Sequence, residues 1–150
     1  MLKVLGKELV LGTEHVGSTA VPGLAAKPIV DMLVFVRSLD QAKNKISDLE
    51  ALGYAFWEDN PDVTRLFFVK GLPPNGPRTH HIHIAEPSSN PDDKVLFRNY
   101  LRVHPDEAAV YLKLKLKLAS QHTTDREEYT KAKTAYISSV LAKAKTNLNI

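Results

Sequence analysis

Residues 14–36, EHVGSTAVPGLAAKPIVDMLVFV, decide how this chain is read. The stretch opens on a His-Val-Gly-Ser turn, passes through Pro22-Gly23 and Lys27-Pro28, and ends in an apolar run that carries one acid, Asp31. Residues 29–36 put apolar side chains on both faces of an extended segment, the pattern of a buried strand. A carboxylate in such a strand is costly unless a metal ion, a cation or hydrogen bonds compensate it. A Gly-Ser turn ahead of the acid offers backbone N–H groups and a hydroxyl, which suit a phosphate. The combination points to a site for a phosphorylated ligand, with a divalent cation as its candidate companion.

Composition sets the outer bounds. The chain has 150 residues, enough for one domain with a real core, and the expectation is a single domain over residues 1–150. It is 43% hydrophobic and 25% charged, the balance of a globular protein. No apolar run is long enough to span a membrane, and the start, MLKVLGKELVLG, is too short and too charged for a secretory signal. A cytoplasmic location is the default that follows. With no cysteine, disulfides and thiolate metal sites are excluded. The net charge of +3 admits an anionic ligand, and the single Trp with scattered lysines gives no aromatic-plus-basic platform for nucleic acid.

Working outward, residues 2–11 read as a short helix or the end of a longer one. Residues 38–52 read as one helix, with Leu39, Ala42, Ile46, Leu49 and Leu52 at helical spacing and Gly53 as its stop. Residues 54–58 and 64–70 read as strands, 71–77 as a Pro/Gly loop and 81–85 as a short strand. From Asp92 onward the pattern is helical. Residues 112–118, LKLKLKL, alternate like a strand, but Pro105-Asp106-Glu107 is a helix start and Leu, Lys and Ala are strong helix formers, so helix is expected. The fold class is therefore α+β: a small mixed β-sheet packed on helices, with a helical C-terminal third.

The motifs also resemble a known family. GSTAVPGLAAKPIVD, His81-Ile82-His83, Phe97-Arg98-Asn99-Tyr100-Leu101-Arg102 with His104-Pro105, Tyr111 with Leu114-Lys115 and Leu118-Ala119, and Tyr129-Thr130 with Ala132-Lys133 match, in order, the segments of the GrpB-like proteins. That resemblance implies a nucleotidyltransferase-like fold and a nucleotide or other phosphorylated small molecule as partner. If the protein is an enzyme, it implies nucleotidyl or phosphoryl transfer. Family members generally carry more chain before the HxGST motif, so the short start here implies an exposed apolar face or a homo-oligomer. Some relatives are attached to dephospho-coenzyme A kinase, which makes a non-catalytic binding or regulatory module the alternative. A His/Asp metal-dependent hydrolase is the third reading.

The catalytic and metal candidates are Asp31, His81 and His83. Asp31 shares a strand face with Ile29 and Leu33. In nucleotidyltransferases the matching strand bears two acids separated by one residue, whereas the second position here is Leu33. His81 and His83 are two apart in a strand and share one of its faces, with Ile82 and Ile84 on the other. They read either as a hydrogen-bonded pair at a sheet edge or as neighbours of Asp31. In the second case magnesium or manganese, less readily zinc, is the cofactor expected.

The ligand-binding candidates are Gly17, Ser18, Lys27, Arg65, Lys115 and Lys133. At about 100° per residue, Tyr111, Ala108, Leu112, Leu114, Leu116, Leu118 and Ala119 fill one arc with Lys115 inside it, while Lys113 and Lys117 fall outside. Tyr129, Tyr136, Ile137, Val140 and Ala144 form a second arc holding Lys133 and Arg126, with Lys131 and Lys145 pointing away. Inward ammonium groups either snorkel to water or meet an anion. Arg65 is a phosphate clamp or an edge residue. Arg98 and Arg102 read as a solvent-facing basic helix edge.

Overall fold

The apolar run after Asp31 does form a strand, and the sheet is built around it. A computed structural model describes residues 1–24, 29–71, 77–89, 91–121 and 126–148. In chain order the elements are α1 (Leu2–Leu5), β1 (Val10–Val16), β2 (Val30–Val36), α2 (Leu39–Lys43), α3 (Ile46–Ala51), β3 (Tyr54–Phe56), β4 (Arg65–Lys70), β5 (His80–Ala85), α4 (Asp93–Val103), α5 (Pro105–Gln121) and α6 (Arg126–Asn147). They divide into two compact units, residues 1–19 with 26–89, and residues 20–25 with 90–150.

The first unit is a mixed five-stranded sheet in the order β1-β2-β5-β4-β3, with only β2 and β5 parallel. Its first face is the core. Val34, Val36, Leu66, Phe68, Ile82 and Ile84 are buried there against Leu5, Leu39, Ala42 and Leu49 of the flanking helices and Leu9 of the turn before β1. The strands alternate, so the neighbours of these residues line the second face.

Three local expectations need correction. The N-terminal helix is a single turn, because Gly6 takes φ 90° and ends it, and Val10 and Leu11 already belong to β1. β1 escaped the sequence pattern because it is an edge strand with Gly12, Glu14 and His15 inside it. Residues 38–52 form two helices rather than one. Ser38 caps the first by accepting from the Gln41 N–H at 3.2 Å, but the N–H groups of Asn44 and Lys45 bond back three residues, which tightens the turn and separates α2 from α3.

The second unit is helical, and the alternating residues 112–118 lie within α5 as expected. Val21, Leu24, Leu101 and Tyr111 form its core, with Phe97, Ala108, Leu112, Tyr136 and Ile137 packed on it. Lys115 is half-buried with its Nζ 5.4 Å from the Tyr111 ring centre, while Lys113 and Lys117 are exposed. Leu116 departs from the expected arc and is 63% exposed. It stands about 140° from Tyr111, at the rim of the buried stripe. Lys133 is half-buried, but Lys145 does not point away; its Nζ lies 3.2 Å from Asp93 Oδ1. The side chains of Arg126 and Tyr129 fall outside the described residues. No helix among the described residues is long and apolar enough to cross a membrane.

Glu107 joins α5 to α6. Lys143 donates to its Oε1 at 2.7 Å and the Tyr136 hydroxyl to its Oε2 at 2.6 Å. The Lys143 bond, and after it the Tyr136 bond, hold the Glu107 carboxyl below its ordinary 4.5. Burial, then the Glu107 bond, pushes the Tyr136 phenol up. A depressed carboxyl contributes stability that is fully present above the unfolded value of about 4.5 and is lost as pH falls through the lower folded value. Glu107→Gln should therefore lower stability at neutral pH and flatten the loss of stability below about pH 4.5, as read by urea unfolding across acid pH.

Candidate functional site

The second sheet face carries Asp31, His81 and His83, the candidate residues of the sequence analysis. Cross-strand partners share a face, so the register Val16↔Asp31↔His81↔Val69 puts Asp31 beside His81, and Glu14↔Leu33↔His83↔Phe67 forms the next row. β5 is the central strand, so the two histidines do not sit at a sheet edge. A bulge between Val10 and Gly12 sets the alternation of β1 and turns Glu14 toward this face.

The ring of His81 is held by Asp31. His81 Nδ1 lies 3.1 Å from Asp31 Oδ1, with the side chains 23% and 28% exposed. A carboxylate oxygen only accepts, so Nδ1–H is the donor and, in the neutral ring, Nε2 carries the lone pair. Nε2 is buried and has no hydrogen-bond partner among the described residues. An imidazole fixed in this way presents a base, or an acid once protonated, to whatever approaches Nε2.

Gly17 explains the turn motif. It takes φ +77°, and a Cβ built on it would lie 2.5 Å from Asp31 Oδ2. Only glycine permits both the left-handed backbone and that approach. The residues on either side clamp the turn: His15 Nε2 lies 2.8 Å from Thr19 Oγ1, which itself donates to the Ile29 carbonyl at 3.5 Å. Because the hydroxyl proton is directed to Ile29, the His15 ring is the donor. The clamp ties β1 and the Ser18–Ala20 turn to the start of β2, where Asp31 lies.

An aromatic row flanks the pair. Phe67 packs at 5.6 Å from His81, 4.7 Å from His83 and 5.8 Å from Trp57. Trp57 extends the β3–β4 pairing by donating its N–H to the Phe67 carbonyl at 3.0 Å, and its side chain is 49% exposed. Glu14, Trp57 and Phe67 were not singled out by the sequence reading. The signal for Trp57 and Phe67 was strand parity; Glu14 had none, because β1 itself was not recognised.

The other candidates divide by unit. Arg65 is on an interior strand and forms an ion pair with Asp62, its Nε 3.1 Å from Oδ2. Hydrogen bonds from Thr64, with the nearby Arg65 charge a smaller cause, hold the Asp62 carboxyl below its usual range. Lys115 and Lys133 belong to the helical unit. Lys27 lies outside the described residues. Arg98 is not solvent-facing: it is 6% exposed and donates to Asn99 Oδ1 through Nε at 3.0 Å and Nη2 at 2.9 Å. It falls on the side of α4 that also buries Leu101, and the neighbouring amide replaces water for the guanidinium. Arg102 is exposed and donates to the Ala20 carbonyl.

Among the described residues, no three His, Asp or Glu side chains stand close enough together to hold a metal ion. Asp31 and His81 are directed at each other, and His83 packs on Phe67 one row along.

The model of the family described as GrpB protein matches residues 1–143. The chain belongs to the GrpB family. It is 49% identical over 135 residues to a UPF0157 protein of Pseudomonas aeruginosa, covering 89% of this chain and 55% of that one. It is 39% identical over 144 residues to the UPF0157 protein YqkA of Bacillus subtilis, covering 95% of this chain and 40% of that one. This GrpB chain thus spans about half the length of those two relatives. The crystal structure of conserved protein GrpB from Enterococcus faecalis shares the fold, with a TM-score of 0.86 at 35% identity over 99% of this chain and 87% of that one.

Gly17→Ala tests the contact at the centre of the site. The substitution should destabilise the protein by about 1–3 kcal/mol through backbone strain and the clash with Asp31. Adding Asp31→Ala removes the clashing oxygen, so the double mutant should be more stable than the sum of the single effects by about 0.5–3 kcal/mol. Urea unfolding of the four proteins measures the cycle.

Proposed function

We propose that this GrpB protein has a nucleotidyltransferase-like fold and binds a nucleotide or a related phosphorylated small molecule on the second sheet face. The Gly17–Ser18 turn would receive the phosphate, and the Trp57–Phe67 row would take the base by stacking. The observation that carries the reading is the buried Nε2 of His81, fixed by Asp31 and free of hydrogen-bond partners among the described residues. Such a group suits proton abstraction from an acceptor hydroxyl. The hydroxyl oxygen would form the new bond to phosphorus, the bond to the leaving phosphate would break, and the proton would pass to Nε2.

A second reading has its own support. Leu33, fully buried, occupies the place where nucleotidyltransferases carry a second acid. That favours a module that binds the phosphorylated ligand without turnover. The two readings differ in what His81 does.

Trp57 is the sole tryptophan, so its fluorescence reports the aromatic row. Nucleotides and phosphorylated metabolites, with and without magnesium or manganese, should quench it and raise the unfolding free energy, by about 2.7 kcal/mol at a hundredfold excess over Kd. His81→Asn keeps a donor for Asp31 but removes Nε2; binding should survive while transfer falls by about 10²–10⁴. Binding without turnover in the unaltered protein selects the module reading. No quenching or stabilisation by any ligand in a broad screen refutes both.

A further inference from the structure

We propose that the helical unit holds a second binding site, for a small amphiphilic carboxylate, in the cleft between residues 21–24 and the corner where α4 meets α5. The cleft has a volume of about 320 Å³ and is walled by Val21, Leu24, Leu101, Ala108, Ala109 and Leu112. That volume is at the lower end of the range, about 300–1,000 Å³, in which proteins hold small molecules. A lining this apolar disfavours a strongly hydrated ligand and rewards one with a hydrocarbon body.

One cation lines the same cleft. Arg102 donates through Nε to the Ala20 carbonyl at 2.8 Å, which fixes the plane of its guanidinium. Among the described residues nothing accepts from its two terminal amino groups, and no acid pairs with it. A planar fork of two N–H donors matches a carboxylate in bidentate geometry, and its side-chain entropy has already been reduced by the backbone bond. The remaining task of Arg102, tethering residues 20–24, uses Nε alone. A tether needs one donor and no cavity; a cavity whose lining carries an oriented guanidinium with two water-facing amino groups fits a ligand with one anionic head and an apolar body. The site lies wholly within the helical unit and does not depend on the Asp31–His81 pair.

Octanoate is the probe, with octylamine and octyl phosphate as comparisons of head group, titrated against the full chain by methyl NMR. Octanoate should bind at millimolar concentration or below and shift the methyl signals of Ala109 and Leu112, while octylamine should not. Arg102→Gln should weaken octanoate by about tenfold or more, the scale of a lost charge-assisted pair, and Arg102→Lys should fall between. Ala109→Leu narrows the cleft without touching the arginine and should weaken octanoate as well, which decides the matter if Arg102→Gln does not fold. Asp31→Asn should leave octanoate binding unchanged. No octanoate binding, binding undiminished by Arg102→Gln or by Ala109→Leu, or tighter binding of octyl phosphate than of octanoate would overturn the proposal.

Discussion

A carboxylate and a glycine meet at the point on which the site depends. Asp31 lies at the start of β2, and its Oδ2 approaches Gly17 more closely than any side chain at that position would permit. The other oxygen holds His81. The acid is therefore shared between a turn and a central strand, and both depend on its place in the sheet. Movement of Gly17 would change the position of Asp31; movement of Asp31 would release the imidazole. The clamp from His15 through Thr19 to Ile29 ties the two strands together beside this point.

The two faces of the sheet have opposite roles, and β parity separates them. Val34, Val36, Ile82, Ile84, Leu66 and Phe68 point one way and make the core. Asp31, His81, His83 and Phe67 point the other way and make the candidate site. A one-residue slip of β2 would exchange the two sets, so burial of the core is what holds the chemistry in register. The β1 bulge is a local use of the same rule, moving Glu14 onto the site face while Val10 stays with the core.

Much of this was legible in the sequence, because periodicity and turn chemistry act locally. The buried strand with its acid and the paired histidines on one face follow from spacing, the glycine turn from turn chemistry, and the helical reading of residues 112–118 from the Pro105-Asp106-Glu107 start and the helix-forming residues after it. What escaped depends on partners distant in sequence. β1 was not visible as a strand because an edge needs no continuous apolar pattern, and Glu14 went with it. The break between α2 and α3 comes from two hydrogen bonds that propensity does not announce. Arg98 read as a surface residue because its burial depends on packing, and its compensation on the adjacent Asn99. Leu116 read as inward because an arc drawn on one helix does not show where the neighbouring helices stop covering it.

The central claim is that Asp31 fixes the His81 ring with its proton on Nδ1 and its lone pair on Nε2. Nitrogen-15 NMR of the imidazole, at a pH where the ring is neutral, measures this directly. The account predicts a protonated Nδ1 and an unprotonated Nε2 for His81, and a loss of that preference in Asp31→Ala. A proton resident on Nε2 in the unaltered protein, or a ring averaging between both tautomers as a free imidazole does, would contradict it.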